Sequence, residues 1–177
     1  TGNLKNSTSP VYNRKGALEK GVWIDGSSVE GFARIHESGM QLFPDPATYA
    51  LLPWRNNVEI GRTARFICEV YTPDHQPFSG DPRYILKRVM AEAKALGFEY
   101  QVAPECEFFM FKKDEEGRIL RESRGNGFYF NLVPDETHGI KREIMSALDS
   151  LGIASETSTY EAADNQHEID IRYDQAL

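Results

Sequence analysis

The chain has 177 residues, 40% of them hydrophobic and 27% charged, which excludes disordered and fibrous classes and suffices for one medium domain or two small ones. Its net charge of −7, from 20 basic and 27 acidic residues and without a basic stripe, argues against a nucleic-acid partner. No apolar stretch is long enough to span a membrane as a helix.

The opening, Thr1 to Asn6, has no signal-peptide pattern, and Gly2-Asn3 is a turn pair without a strand before it, so it reads as the middle of something. Residues 13–19 suit a short helix stopped by Gly21. Val22, Trp23 and Ile24 form a strand candidate that enters the small-residue turn Asp25, Gly26, Ser27, Ser28. Residues 29–46 mix loop and short-strand signals, and residues 49–54 suit a short edge strand ending near Pro53. In residues 64–71, Phe66, Cys68 and Val70 alternate with Arg65, Ile67 and Glu69, which predicts one strand. The turn-rich loop 72–80 marks a domain boundary, giving domains 1–78 and 79–177.

Asp81 as N-cap and Pro82 at the first helical position start a helix. Ile85, Leu86, Val89, Met90, Ala93 and Leu96 give it an apolar face, and Gly97 ends it. Residues 102–111 read as a strand, 114–117 as a turn, and 127–133 as an aromatic strand. Lys112 and Lys113 suit a solvated hairpin end. Ile140, Ile144, Met145, Leu148 and Leu151 mark a second amphipathic helix before Gly152. Residues 153–159 and 168–173 look like two further strands. Short strands followed by alternating helix and strand make an α+β pattern. A chain that stops just after a strand looks like part of a larger protein. Its two cysteines, Cys68 and Cys106, read as small core residues, and their number fits a reducing, cytoplasmic setting.

Chemistry concentrates in two acidic segments. In Pro104-Glu105-Cys106-Glu107-Phe108-Phe109, a strand would place Glu105 and Glu107 on one side, with Cα atoms about 6–7 Å apart. Like charges that close raise each other's pKa or require a cation. The second segment runs from Tyr160 to Ile171, where His167, Ile169 and Ile171 alternate with Glu168, Asp170 and Arg172. This face is either solvated, with a Glu–Arg pairing, or it brings Glu161 and Glu168 beside Glu105 and Glu107. Ligation by oxygen alone selects Mg²⁺ or Mn²⁺ over zinc. His167 should point away from Glu168 as a packed histidine. Asp25, with its neighbouring hydroxyl groups, could act as a general base or bind a small cation.

In order along the chain, these segments resemble type I glutamine synthetase. Residues 23–32 look like that family's aspartate loop, Phe43 to Trp54 the stretch after it, and Ala64 to Arg83 its domain junction. Residues 104–109 match its metal-binding strand, and residues 161–170 its second acidic segment. The resemblance implies a β-grasp-like N-terminal domain, then part of a catalytic domain with an antiparallel sheet and flanking helices. It implies ATP-dependent ligation of ammonium to the γ-carboxylate of glutamate, with Mg²⁺ or Mn²⁺, in a homo-oligomer that stacks into a dodecamer. Glu107, Glu161 and Glu168 would hold one metal, and Glu105 would help hold the other. Asp25 would deprotonate ammonium in a neighbouring subunit's site, which Ser28, Tyr129 and Glu161 would line. Glu156 matches a nucleotide-contacting position. The chain departs from the family pattern at Gly39, where Asp is usual, and at Asp164-Asn165, where Pro-Gly is usual. Thr159 and Tyr160 stand where histidines often precede Glu161. A γ-glutamyl ligase using another amine, and a catalytically dead interaction protein, are the alternative readings. The family's later half would lie beyond Leu177.

Overall fold

A turn of 3₁₀ helix at Val11–Asn13 leads into α1 (Arg14–Lys20), and the N–H of Gly21 closes it onto the Ala17 carbonyl at 3.1 Å. The computed structural model describes residues 4–29, 39–57, 61–120 and 136–177; the side chains of 55–57 and 136 are not among those described. The expected aromatic strand at 127–133, with Tyr129, lies outside them. Gly21 has φ of 70°, and a Cβ there would sit 3.0 Å from the Leu42 carbonyl oxygen, so glycine is required at this reversal.

Contacts divide the chain into two units. The first comprises Thr1–Leu51, Thr63–Tyr100 and Leu177, and the second comprises Leu52–Arg62 and Gln101–Ala176. In the first, β1 (Val22–Asp25) pairs antiparallel with β2 (Gly39–Pro44), setting Asp25 opposite Gly39. The chain continues through β3 (Ala50–Asn57) and β4 (Gly61–Arg65), which pair with each other and whose stretch Leu52–Arg62 is counted in the second unit. Next, β5 (Cys68–Tyr71) completes a sheet of order β1-β2-β5. Met40 and Gln41 of β2 are buried in it.

The single strand expected over 64–71 is two strands. Between them the Ile67 N–H donates to the Thr48 hydroxyl at 2.7 Å, and the Ile67 carbonyl accepts from the Asp45 N–H at 2.8 Å. Residues 45–48 therefore take the backbone groups at Ile67 that a continuous ladder would have used. Alternation of side chains cannot register that competition.

The helix α2 (Pro82–Ala95) starts as the sequence predicts. The Asp81 carboxylate accepts from the Arg83 N–H at 3.1 Å and also from the Val70 N–H at 3.1 Å. One buried side chain therefore caps the helix and holds β5. Arg83 pairs with Asp45 at 2.5 Å and lies 3.7 Å from Glu69, to which Lys87 also binds. These charges turn the covered stripe of α2 to Arg83, Leu86, Lys87, Met90 and Ala93, all half-buried. Ile85, Val89 and Leu96, expected in the core, are 47%, 50% and 75% exposed. A count of apolar positions misplaced the stripe because two cations occupy it. An Asp81→Ala variant should lose about 1–3 kcal/mol, from the cap and the stranded Val70 N–H. Chemical denaturation of wild type and variant measures it, and a change below about 0.3 kcal/mol would show that neither bond matters.

The second unit holds the short strand β6 (Gln101–Val102), then β7 (Glu105–Phe109) and the hairpin β8 (Lys112–Lys113) and β9 (Ile119–Leu120). Asp114 closes that hairpin by accepting from the Arg118 backbone at 2.8 Å and guanidinium at 2.7 Å. The helix α3 (Glu136–Ser150) follows, then β10 (Ser155–Tyr160), β11 (Gln166–Ile171) and β12 (Asp174–Gln175). β12 pairs with β6, while β10, β11 and β7 form an antiparallel sheet in that order.

One face of this sheet carries the core. Ile169 and His167 are each 1% exposed, and Tyr160 is 8% exposed. The ring of His167 lies 4.7 Å from that of Tyr160 and 5.8 Å from that of Phe108. From α3, the Thr137 hydroxyl meets the Tyr160 hydroxyl at 2.6 Å, and the Lys141 ammonium sits 4.2 Å over the Tyr160 ring. His167 is thus a packed histidine on the face opposite Glu168, as the alternation predicts. Cys106 shares the core side of β7 but is exposed, against the expectation of a core residue; among the described residues, β7 is the last strand of this sheet. Cys68 is half-buried, and burial raises its thiol pKa. Mixed helices and antiparallel sheets make the fold α+β. Among the described residues, no helix is long and apolar enough to cross a membrane.

Candidate metal centre

The second face of the β10-β11-β7 sheet is acidic. Strand register sets Glu107 opposite Glu168 and Glu105 opposite Asp170, so all four carboxylates project from the same side. Oxygen atoms of Glu105, Glu168 and Asp170 lie within 4.8 Å of one another. Glu161, at the end of β10, reaches Glu168 by a carboxyl–carboxylate hydrogen bond. Such a bond needs one shared proton, and it pushes the Glu168 pKa up to about 7. Desolvation and the negative charges of Asp170, Glu161 and Glu105 push the same way.

Three of the carboxylates have a donor beside them. Gln166 Nε2 donates to Glu107 Oε2 at 2.6 Å, Thr159 Oγ1 to Glu168 Oε2 at 3.4 Å, and Thr157 Oγ1 to Asp170 Oδ2. Glu161 starts a turn closed by its own N–H on the Gln166 carbonyl at 3.0 Å. Within this turn Asn165 has φ of 64°, the left-handed region that Asn tolerates better than most non-glycine residues. The replacement of the resembled family's usual glycine by Asn165 therefore keeps the turn.

The structure brings together Glu105, Glu168 and Glu161 of the sequence-predicted ligands, with Glu107 on the same face. Asp170, which was not among the sequence-predicted ligands, joins Glu105 and Glu168 in this group. Its signal was present in the alternation that put it on the Glu168 side, but its position opposite Glu105 needs the strand register. Glu156 is exposed near the irregularity between Ser155 and Ser158 of β10. Asp25 and Ser28 belong to the first unit. There Asp25 accepts from Ser27 Oγ at 2.6 Å, the Ser27 N–H at 3.0 Å and Ser28 Oγ at 3.0 Å. The Ser27 and Ser28 hydroxyls, with the Ser27 N–H, hold its carboxyl below the usual range. That keeps Asp25 charged, a property suited to holding a cation.

An all-oxygen set with excess negative charge fits a hard divalent ion, because the ion can replace the shared proton. The sign of the pH effect follows. Glu168 binds its proton more tightly folded than unfolded, so its favourable contribution is present below about pH 4.5 and is lost as pH rises through 7. Stabilisation by Mn²⁺ should do the reverse and grow between pH 5.5 and 8. Thermal melts with and without Mn²⁺ across that range check it, and a pH-independent shift would contradict it.

Comparisons with known proteins identify the family of the chain. The family model for the glutamine synthetase β-grasp domain matches residues 1–73, and that for the glutamine synthetase catalytic domain matches residues 79–177. The chain is 44% identical over 177 residues to a glutamine synthetase of Halobacterium salinarum, covering 99% of this chain and 39% of that protein. It is 47% identical over 160 residues to a glutamine synthetase of Thermotoga maritima, covering 90% and 36%. It therefore spans about two fifths of the length of the curated relatives it matches. Among solved structures, a Plasmodium falciparum glutamine synthetase matches with a TM-score of 0.71 at 20% identity, over 91% of this chain and 37% of that one. An ADP complex of GmaS matches with a TM-score of 0.74 at 22% identity, over 94% and 38%. These two speak to the fold alone. With domain models covering nearly the whole sequence in order, and close to half of its residues shared with curated relatives, the chain belongs to the glutamine synthetase family.

Proposed function

We propose that the protein to which this chain contributes is a glutamate–ammonia ligase. ATP would phosphorylate the γ-carboxylate of glutamate and release ADP, and ammonia would displace phosphate from the resulting γ-glutamyl phosphate. The observation that carries this reading is the convergence of Glu105, Glu161, Glu168 and Asp170 in a chain of this family. Glu107, Glu161 and Glu168 would hold one Mg²⁺ or Mn²⁺, and Glu105 with Asp170 would help hold a second. When bound, divalent ions supply neutralisation of phosphate charge and of the charge that develops in phosphoryl transfer.

The protein's own side chains have separate tasks in this scheme. The acidic face fixes the negative oxygens on paired strands, so little rearrangement is needed on binding. Asp25, kept ionised by Ser27 and Ser28, would attract ammonium and take a proton from it. In the proposed assembly, a homo-oligomer and in the family's manner a dodecamer, it would do so in a neighbouring subunit's site. Ser28, Tyr129 and Glu161 would line the ammonium pocket, and Glu156 would contact the nucleotide. The proposed domains are 1–78 and 79–177, and the proposed location is the cytoplasm.

The test is phosphate release from ATP by the full-length protein with glutamate and ammonium. The reading requires release that depends on both, and failure to depend on ammonium would defeat it. A second reading, ligation of another small amine, is favoured by Gly39, which stands directly opposite Asp25 without a side chain. A Cβ at Gly39 would meet Trp23 and Pro73 at ordinary distances of 3.7 and 3.8 Å, so space for a side chain exists there. Faster product formation with small amines than with ammonium would select that reading.

A further inference from the structure

The side chain of Gln166 makes two directed hydrogen bonds. Its Oε1 accepts from the Ala163 N–H at 3.3 Å, and its Nε2 donates to Glu107 Oε2 at 2.6 Å. Only one orientation of the amide serves both, because an N–H cannot accept and an ionised carboxylate cannot donate. The backbone of the same residue accepts from the Glu161 N–H and donates to the Ala163 carbonyl at 3.1 Å. Gln166 therefore ties the turn that begins at Glu161 to a carboxylate on another strand, 59 positions earlier. Nothing in the sequence pattern singled it out, since a glutamine at a strand start is ordinary.

We infer that Gln166 is a positioning residue for the cation site: it holds Glu107 and the Glu161 turn in a fixed relation, and so sets the affinity for a divalent ion. The inference rests on the metal reading above. Its physical basis is that a ligand carboxylate with a fixed partner loses less rotational freedom on binding an ion. Gln166 acts through Glu107 and need not touch the ion.

The experiment is Mn²⁺ titration, by calorimetry or electron paramagnetic resonance, of the wild-type chain and of Gln166→Met, Glu107→Gln, Glu168→Ala and the Gln166→Met/Glu107→Gln double variant. Gln166→Met, which keeps the side-chain length and removes the amide, should bind Mn²⁺ about 10–100-fold more weakly. In the Glu107→Gln background, the same substitution should add nothing. A merely structural role would instead lower affinity by the same factor in both backgrounds. Affinity within twofold of wild type, or equal losses in the two backgrounds, would overturn the inference. Glu168→Ala separates the failures. If it loses Mn²⁺ while Gln166→Met keeps it, only the positioning role falls; if it too binds like wild type, the metal reading falls first. One readout needs no variant: the side-chain amide resonance of Gln166 should move when Mg²⁺ is added to the wild-type chain. A resonance that stays in place would also overturn the inference.

Discussion

A Glu168→Ala variant should bind Mn²⁺ at least 100-fold more weakly than wild type while remaining folded. Glu168 is central to the acidic face: it is hydrogen-bonded to Glu161, opposite Glu107, and within 4.8 Å of Glu105 and Asp170 by its oxygen atoms. Removing it takes away a ligand and also the group whose charge competes most directly with a proton. Without metal, the same variant should be at least as stable as wild type at pH 8, because a repelled carboxylate has gone. That pairing separates a functional cluster from a structural one. Isothermal titration and thermal melts measure both halves, and unchanged Mn²⁺ affinity would remove the site.

The largest loss of stability should come from the other side of the same strand. Ile169 is 1% exposed and neighbours His167, with Glu168 facing the opposite way between them. Ile169→Ala should cost about 2–5 kcal/mol, the range for a buried aliphatic side chain cut to a methyl group. At this chain length that corresponds to a fall in Tm on the order of 10 °C. Circular dichroism melts would measure it. A loss below about 1 kcal/mol would mean that the sheet face carrying Ile169 is not a packed core. The two variants are adjacent in sequence, yet one should affect metal and the other folding, because alternation sends them to opposite faces.

Much of this was legible in local chemistry. Asp81 and Pro82 announced α2, Gly97 and Gly152 ended helices at φ of 85° and 77°, and the alternation around Glu168 separated the His167 face from the acidic face. What failed needed partners distant in sequence. The break at Ile67 depends on Thr48, and the rotation of α2 depends on Asp45 and Glu69 meeting Arg83 and Lys87. Cys106 looked like core because it lies within a strand-like run rich in apolar residues, but among the described residues no strand pairs with the far side of β7. Asp170 and Gln166 entered the site only through register and turn geometry. Two-residue alternation chooses a face, whereas convergence of charges from β7 and β11 depends on which residue lies opposite which.

On this reading the acidic face of the β10-β11-β7 sheet is a cradle for a doubly charged cation. Its most direct test is a crystal of this protein soaked in Mn²⁺ and measured near the manganese absorption edge. An anomalous peak within about 2.0–2.6 Å of oxygens from Glu105, Glu168 or Asp170 is the expected result. Well-ordered carboxylates with no anomalous density between them, at millimolar Mn²⁺ and pH 8, would contradict it.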